Sequence, residues 1–265
     1  MTNPRVVIQD QLKTIDGEFA ISTSGGIDSS SIVASAVDLG LKPLIVSFSL
    51  EDRLSSDLQA AKRLAAHFNL TFFPVFLPID HDKILEDVRW IVAAGARKKT
   101  AIECLYPFVH VLKHLRAAGI ENLVTGSAAD GHFALSKKAM IHWKEPKELF
   151  QQFRTNYFAN PDAAQVSTLT RIGKHFDVRV MAPYFHDEMF KLFVDKSWSQ
   201  LNKPRQKEAI RKHFPELDKF NIKIHTNLQL GDSGIADRVG YAVLSKIAPH
   251  AKSPITAYNI LAKQA

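Results

Sequence analysis

The chain has 265 residues, of which 46% are hydrophobic and 23% are charged, and its formal net charge is +7. This composition is typical of a folded globular protein and excludes a disordered chain, a collagen-like repeat and a disulfide-stabilised scaffold. The sequence has no apolar run long enough to span a membrane, no secretory signal pattern and a single cysteine, Cys104. We therefore expect a cytoplasmic protein with no membrane partner and no structural zinc site, and the positive charge favours anionic partners.

Short apolar segments rich in β-branched and aromatic residues alternate with segments of helical periodicity. This alternation predicts parallel βαβ units, and hence an α/β fold in which helices sandwich an open parallel sheet of about five strands. Residues 1–183 are predicted to form this domain and residues 184–265 a helical C-terminal part. The predicted strands are residues 18–23, 43–49, 70–77, 122–125 and 178–182, and the predicted helices are residues 29–39, 54–68, 104–118 and 146–176, the last with a break at Asn160-Pro161.

A polar segment that contains two glycines lies where the first predicted strand meets the first helix. We call this segment, residues 22–30, the phosphate loop. Adjacent glycines let the backbone turn tightly and approach a ligand, and hydroxyl groups beside a helix N-terminus favour phosphate binding. An aspartate in such a loop needs a bridging cation, which indicates Mg²⁺; a plain Gly-Gly turn before a capped helix is the alternative. The candidate ligand residues are Ser22, Ser24, Gly25, Gly26, Ile27, Asp28, Ser29 and Ser30.

Residues 24–29 match the S-G-G-x-D-S signature of the PP-loop ATP pyrophosphatases. The resemblance implies an adenine nucleotide α hydrolase-like fold that binds the pyrophosphate end of ATP and cleaves between the α and β phosphates. Later segments resemble, in the same order, the synthetase domain of asparagine synthetase and β-lactam synthetase. In this resemblance Phe48 and Ser49 border the adenine, Gly126 belongs to a turn after the fourth strand, and Asp130 shares Mg²⁺ with Asp28.

The resemblance also implies catalytic residues elsewhere in the chain. Lys207 and Arg211 fall in a basic stretch, Q-K-E-A-I-R, that lies near the phosphates in the family, and Glu103 aligns with an acidic residue facing the substrate pocket. The alternative interpretation of Lys207 and Arg211 is an exposed basic helix. For Glu103 it is a favourable interaction between the carboxylate and the dipole at a helix N-terminus. Asn227 stands where the family has a lysine over the α-phosphate, so Lys223 or Lys207 is expected to supply that charge.

The sequence departs from the family pattern beside Asp130. Ser127 stands where the family has glutamate, and Gly131 replaces the second acidic residue of its D-E pair. With two fewer carboxylates, the site is expected to select a substrate other than that of asparagine synthesis. We also expect no glutaminase domain, because Thr2 follows the first methionine and the phosphate loop comes early. The nitrogen would then come from free ammonia, an amine or a separate amidotransferase subunit.

The main hypothesis is an ATP- and Mg²⁺-dependent, AMP-forming ligase. It would adenylate a carboxylate or amide oxygen of a small molecule, release pyrophosphate and transfer the acyl group to ammonia or an amine. Lys207, Arg211 or Lys223 would balance charge, and the helical C-terminal part would pack on the active site and keep water from the adenylate. The alternatives are a PP-loop enzyme that modifies tRNA or another nucleic acid, and a non-catalytic nucleotide-binding protein.

Overall fold

A parallel sheet forms the centre of the fold. The structure, a computed structural model, describes residues 2–135, 137–142, 144–160, 162, 165–220 and 232–264. The strands in these residues are β1 (Phe19–Ser22), β2 (Leu44–Leu50), β3 (Phe72–Leu77), β4 (Asn122–Thr125) and β5 (Arg179–Met181). They pair in the order β3-β2-β1-β4-β5, and every pair is parallel. The predicted fold is confirmed, and the ends of each strand lie within two residues of the prediction.

Helices cover both faces of the sheet. No helix among the described residues is both long and apolar enough to cross a membrane. Short 3₁₀ turns lie at Pro183–Phe185 and Pro215–Phe220. The helices are α1 (Pro4–Leu12), α2 (Ile27–Asp38), α3 (Ser56–His67), α4 (His81–Ala93), α5 (Lys99–Ala117), α6 (Ala129–Phe133), α7 (Lys137–His142), α8 (Lys147–Ala159), α9 (Val166–His175), α10 (Asp187–Phe193), α11 (Trp198–Asn202), α12 (Glu208–Arg211), α13 (Ile235–Ile247) and α14 (Pro254–Gln264).

The sequence predicted most, but not all, of the helices in the first part of the chain. The ends of α2 and α3 agree with the predictions within two residues, and α8 and α9 are separated at the predicted break. Helix α5 begins at Lys99, ahead of the predicted start, and it continues through Pro107. Helices α1, α4, α6 and α7 were not predicted, although Asn3 and Asp80 cap α1 and α4 through their side chains. Such capping residues were the available sequence signal.

The alternating side chains of the sheet divide the core into two layers. Ala20 and Leu123 are fully buried in the layer that contains α4, α5, α9, α13 and α14. Ile21 and Val124, one residue further along each strand, are buried in the layer that contains α1, α2, α6, α8 and α10 to α12. Helices after residue 183 therefore complete both layers. The helical C-terminal part is confirmed, whereas the domain division at residue 183 stays a prediction.

A buried arginine joins α8 to the end of α10. Arg154 has no exposed surface, and its guanidinium donates hydrogen bonds to the carbonyl oxygens of Phe193, Val194 and Lys196. Carbonyl groups at a helix C-terminus have no partner within the helix, so the arginine satisfies them. Its guanidinium also lies 3.9 Å from the centre of the Phe150 ring. Burial lowers the pKa of Arg154 to about 10, which still leaves it charged at neutral pH.

Replacing this arginine should therefore weaken the fold. For Arg154→Met we expect the free energy of unfolding to fall by about 3 kcal/mol, because buried carbonyl groups lose charged donors. Urea denaturation followed by circular dichroism measures this change. Arg116→Met is the matched control: Arg116 and Asp177 form an exposed pair, so its effect should stay within about 0.5 kcal/mol. Equal effects of the two substitutions would contradict the role assigned to Arg154.

Candidate active site

The candidate site lies at the point where the order of the strands reverses. From β1 the chain proceeds to β2 and β3 on one side of the sheet and to β4 and β5 on the other. In open α/β sheets, ligands bind at the carboxyl ends of the strands beside such a reversal. The phosphate loop follows β1, and a second loop, residues 126–130, follows β4. Because Ser22 and Thr125 pair at the ends of these strands, the two loops begin side by side.

The phosphate loop is held in shape by its own hydroxyl groups. The amide of Gly25 donates to Thr23 Oγ1 at 3.1 Å, and the amide of Gly26 donates to Ser24 Oγ at 3.3 Å. The hydroxyl groups of Thr23 and Ser29 are 2.7 Å apart. These hydroxyl groups therefore shape the loop, and the proposal that the serines also bind phosphate stays a prediction.

Both the backbone conformation and the packing at position 25 require a glycine. Its φ is +72°, and a Cβ at this position would lie 2.5 Å from Ala60 Cβ in α3. Gly26 then serves as the N-cap of α2, without a side-chain hydrogen bond. The first-turn amides of α2 have no acceptor within the helix, and the helix dipole favours negative charge there. The start of α2, at Ile27, Asp28 and Ser29, thus provides the donors suited to a phosphate.

A buried lysine connects the two loops. Lys207 is 3% exposed, and its ammonium group donates to Asp28 Oδ2 and, at 2.7 Å, to Asp130 Oδ1. Burial alone would lower the pKa of Lys207, but the two carboxylates outweigh this effect and raise its pKa above the ordinary value. Lys207 therefore remains protonated at any physiological pH.

The backbone of Lys207 is also fixed. Its φ is +59°, and its amide donates to Asn202 Oδ1 at 3.1 Å. Asn202 in turn donates to the carbonyl oxygen of Phe133 at 3.1 Å. This chain of hydrogen bonds ties the start of α12 to α11 and α6, so the ammonium group reaches the site from a defined position.

The two aspartates fit the predicted magnesium site. An oxygen of Asp28 and an oxygen of Asp130 converge on one cation, the ammonium group of Lys207. Mg²⁺ at nucleotide sites usually takes one or two carboxylates and completes its shell with phosphate oxygens and water. No cluster of three or more His, Cys, Asp or Glu side chains suited to a metal occurs within the described ranges. Oxygen atoms of the nucleotide and of water could supply further ligands.

The second loop approaches the phosphate loop closely. A Cβ on Gly126 would lie 3.3 Å from both Asp28 Cβ and the amide nitrogen of Ser29. The neighbouring Ser127 accepts a hydrogen bond from Thr125 Oγ1 at 2.9 Å. Gly126 thus packs closely against the start of α2, and its part in nucleotide binding stays a prediction.

The residues expected at the adenine have structural partners. Ser49 is fully buried; it donates to the carbonyl oxygen of Arg53 at 2.5 Å and accepts from the amide of Ser55 at 2.9 Å. These bonds shape the connection between β2 and α3. Phe48 is partly buried and meets the edge of the Phe108 ring, with 6.1 Å between ring centres. A contact of Phe48 or Ser49 with adenine stays a prediction.

Two of the other predicted residues have partners outside the lysine and aspartate cluster. Glu103 is fully buried, 2.7 Å from Lys99 Nζ, and accepts from the Tyr258 hydroxyl at 3.1 Å. Burial raises the pKa of Glu103. Arg211 donates to the carbonyl oxygen of Gln206 at 3.0 Å, and its guanidinium lies 3.7 Å from Asp218; burial lowers its pKa, with a smaller effect from Arg205. The predicted residues Lys223 and Asn227 lie outside the described residues.

Sequence reasoning missed two tyrosines at the site. Tyr157 of α8 lies against Gly131, where a Cβ would be 2.2 Å from the tyrosine Cε1. Tyr184 is fully buried, and its hydroxyl group lies 2.5 Å from Ser31 Oγ in α2. The sequence signal for Tyr184 was weak: Ala182-Pro183-Tyr184 resembles part of a motif of the asparagine synthetase domain. Nothing in the sequence near Tyr157 pointed to the site.

The comparison with known protein families gives a match over most of the chain. A family model described as asparagine synthase matches residues 8–221. The match includes both loops and Lys207. No curated protein gives a significant match.

Two solved structures align over most of the chain at low similarity. NMN synthetase from Francisella tularensis has 15% identity and a TM-score of 0.37, and the alignment covers 91% of this chain and 93% of that chain. A "predicted subunit of tRNA methyltransferase" from Methanocaldococcus jannaschii has 15% identity and a TM-score of 0.36, with 77% and 91% coverage. At this level of similarity we draw no conclusion about function from either structure.

The effect of Gly25 packing on stability can be tested by comparison with Gly40, where an added Cβ would meet no other atom. Gly25 and Gly40 share a φ of +72°, but only Gly25 has a neighbour within 4 Å of its added Cβ. We expect Gly40→Ala to lower the free energy of unfolding by about 1 kcal/mol through backbone strain alone. Gly25→Ala should lower it by more than about 2 kcal/mol, because the clash with Ala60 adds to the strain. Urea denaturation compares the two, and equal losses would contradict the packing argument.

The ammonium group of Lys207 should compete with a divalent cation for the two aspartates. For Lys207→Met we expect Mn²⁺ to bind the nucleotide-free protein at least about tenfold more tightly than it binds the wild type, because the ammonium group no longer lies between the two carboxylates. Electron paramagnetic resonance of free Mn²⁺ measures the affinity. Lys99→Met, which removes a different carboxylate partner, is the control and should leave Mn²⁺ affinity unchanged. An unchanged affinity in Lys207→Met would contradict the competition.

Proposed function

Because the chain belongs to the asparagine synthase family, and hence to the PP-loop proteins that use ATP, we propose that it is an AMP-forming C–N ligase. The observation that carries the proposal is the convergence of Asp28, Asp130 and Lys207 beside the phosphate loop. The proposal is supported because the amides at the start of α2, two carboxylates that could hold Mg²⁺ and a permanent positive charge lie at one sheet edge. Those are the groups that a reaction at a nucleoside triphosphate needs.

In the first step, an oxygen of the substrate carboxylate attacks the α-phosphorus of ATP. The bond between that phosphorus and the α–β bridging oxygen breaks, and pyrophosphate leaves with the electron pair. Asp28 and Asp130 would hold Mg²⁺, which when bound offsets the negative charge of the phosphates. The amides at the start of α2 would bind the pyrophosphate portion and hold it in line with the attacking oxygen.

Lys207 would balance the charge that develops on the leaving pyrophosphate. Its ammonium group is already beside Asp28 and stays protonated. If Asp28 and Asp130 hold Mg²⁺, the ammonium group of Lys207 would bind a phosphate oxygen instead. Arg211, whose side chain is mostly buried next to α2, and Lys223 are proposed as further sources of positive charge.

In the second step, ammonia or an amine attacks the acyl carbon of the adenylate. The new C–N bond replaces the C–O bond to AMP, and the nitrogen loses one proton to solvent or to AMP. Phe133, Tyr184 and Phe214 are fully buried in the layer of core that includes α10 to α12. We propose that these C-terminal helices limit the access of water to the adenylate. Free ammonia, an amine and a separate amidotransferase subunit are the proposed nitrogen sources.

The reaction can be identified by separating its nucleotide products. We expect the purified protein, given Mg²⁺ and [α-³²P]ATP, to form AMP and pyrophosphate when a pool of small carboxylates and ammonium is added. Asp28→Asn should lower the rate of AMP formation at least about 100-fold, because the cation and phosphate contacts at this position are lost. Asp10→Asn, at an exposed pair in α1, is the control and should retain the wild-type rate.

Three other outcomes of this experiment would contradict the proposed ligase reaction. Formation of ADP would overturn cleavage between the α and β phosphates. AMP formation that depends on an RNA pool would favour the nucleic-acid-modifying alternative. ATP binding without AMP formation from any pool would favour a non-catalytic nucleotide-binding protein.

A further inference from the structure

Tyr184 contacts both of the helices that carry the aspartates of the site. Its side chain is fully buried, and it lies in the 3₁₀ turn after β5. Its hydroxyl group lies 2.5 Å from Ser31 Oγ in α2, three residues after Asp28. Its carbonyl oxygen accepts a hydrogen bond from His132 Nε2 in α6 at 2.8 Å, two residues after Asp130. One residue is thus bonded to α2 through its side chain and to α6 through its backbone.

The direction of each hydrogen bond follows from the groups that form it. A carbonyl oxygen can only accept, so Ser31 Oγ donates its single proton to the carbonyl oxygen of Asp28 at 2.7 Å. Ser31 then has no proton left for Tyr184, and the tyrosine hydroxyl is the donor in the contact between them. His132 likewise carries its proton on Nε2, because its partner there is a carbonyl oxygen.

Both side-chain donors keep their proton at neutral pH. Burial, with a smaller effect from the charge of Asp28, raises the pKa of the Tyr184 phenol well above its ordinary value. Burial lowers the pKa of His132 to about 3, so its ring stays neutral. The hydrogen bonds of Tyr184 to α2 and α6 are therefore present throughout the physiological pH range.

The ring of His132 is fixed by aromatic neighbours. It stacks on Phe158 with 4.2 Å between ring centres, and its centre lies 5.1 Å from that of Phe193. His132 and Phe193 are both buried, and closely packed rings of this kind do not move without opening the core. The contact of Tyr184 with α6 is therefore rigid, and the contact with α2 ties the turn at Asp28 to it.

The two aspartates need a defined spacing if they are to exchange one cation for another. An oxygen of Asp28 and an oxygen of Asp130 converge on the ammonium group of Lys207. An ammonium group is a compact charge with three rotatable donors, so it tolerates a range of carboxylate positions. Mg²⁺ demands near-ideal octahedral geometry with ligand distances of about 2.0–2.1 Å. A shift of either carboxylate therefore weakens the binding of a divalent cation more than that of the ammonium group.

We propose that Tyr184 is a positioning residue of the candidate site. Through Ser31 it fixes the turn of α2 that carries Asp28, and through its carbonyl oxygen it fixes α6, which carries Asp130. It thereby sets the spacing at which the two carboxylates bind a divalent cation. The inference rests on the proposed function, in which Asp28 and Asp130 hold Mg²⁺.

Tyr184→Phe tests the positioning without a nucleotide. The background is Lys207→Met, in which the ammonium group no longer competes for the aspartates, and electron paramagnetic resonance of free Mn²⁺ measures the affinity. We expect Tyr184→Phe to weaken Mn²⁺ binding at least about 10-fold, as is typical when a group that supports a metal ligand is removed. Tyr106→Phe is the matched control and should leave the affinity unchanged, because Tyr106 is fully buried but donates to the carbonyl oxygen of Pro78, after β3.

A second substitution tests the route through Ser31. Ser31→Ala should weaken Mn²⁺ binding about as much as Tyr184→Phe, and the double variant should bind Mn²⁺ no more weakly than either single variant. Independent, multiplying losses would overturn the route through Ser31. Unchanged affinity in Tyr184→Phe, an equal loss in Tyr106→Phe, or no Mn²⁺ binding by folded Lys207→Met would overturn the inference.

A kinetic measurement takes the place of these if the Lys207→Met variants fail to fold. In the chain that retains Lys207, Tyr184→Phe should raise the Mg²⁺ concentration for half-maximal AMP formation at least about 10-fold and change the rate at saturating Mg²⁺ less than about threefold. An equal fall in rate at every Mg²⁺ concentration would overturn the inference and leave the proposed function intact. The expected Mn²⁺ affinities without AMP formation from any pool would overturn the proposed function and support the inference.

Discussion

The buried ammonium group of Lys207 determines how the site is assembled. Burying a charge is unfavourable unless it is paired, and Lys207 finds its partners in Asp28 and Asp130, at the ends of two neighbouring strands. The pairing joins α2, α6 and α12, which are far apart in the sequence. It also places a permanent cation where the proposed chemistry develops negative charge. One interaction thus contributes to the position of α12 and to the electrostatics of the site.

The phosphate loop shows how a short polar segment can be rigid before a ligand binds. Hydroxyl groups of Thr23 and Ser24 accept hydrogen bonds from amides of the same loop, and Gly25 packs against α3. Preorganised donors lose little entropy on binding, which favours affinity and catalysis. The amides available to an anion are then those at the start of α2, because the bonded amides have hydroxyl partners. The serines of the motif thus have a structural task in addition to any contact with phosphate.

The departures from the family pattern have a common structural setting. Gly131 replaces an acidic residue, and the space beside it holds the ring of Tyr157. Cys104 and Tyr157 both have raised pKa values and stay neutral. Next to residue 131 this chain therefore has an aromatic ring where the family pattern implies a carboxylate. The phosphate loop, by contrast, keeps Asp28 and the glycines of the family signature.

The sequence by itself determined the five strands, most of the large helices and the phosphate loop, because periodicity and the S-G-G-x-D-S motif are local properties. The resemblance to the synthetase domain also paired Asp28 with Asp130, and the structure shows that these residues follow two neighbouring strands, β1 and β4. Only the tertiary structure decided which cation lies between them, that Glu103 pairs with Lys99 and Tyr258, and that Tyr157 fills the space beside Gly131. These contacts join segments distant in the sequence, and their geometry depends on how helices pack on the sheet, which no local pattern records.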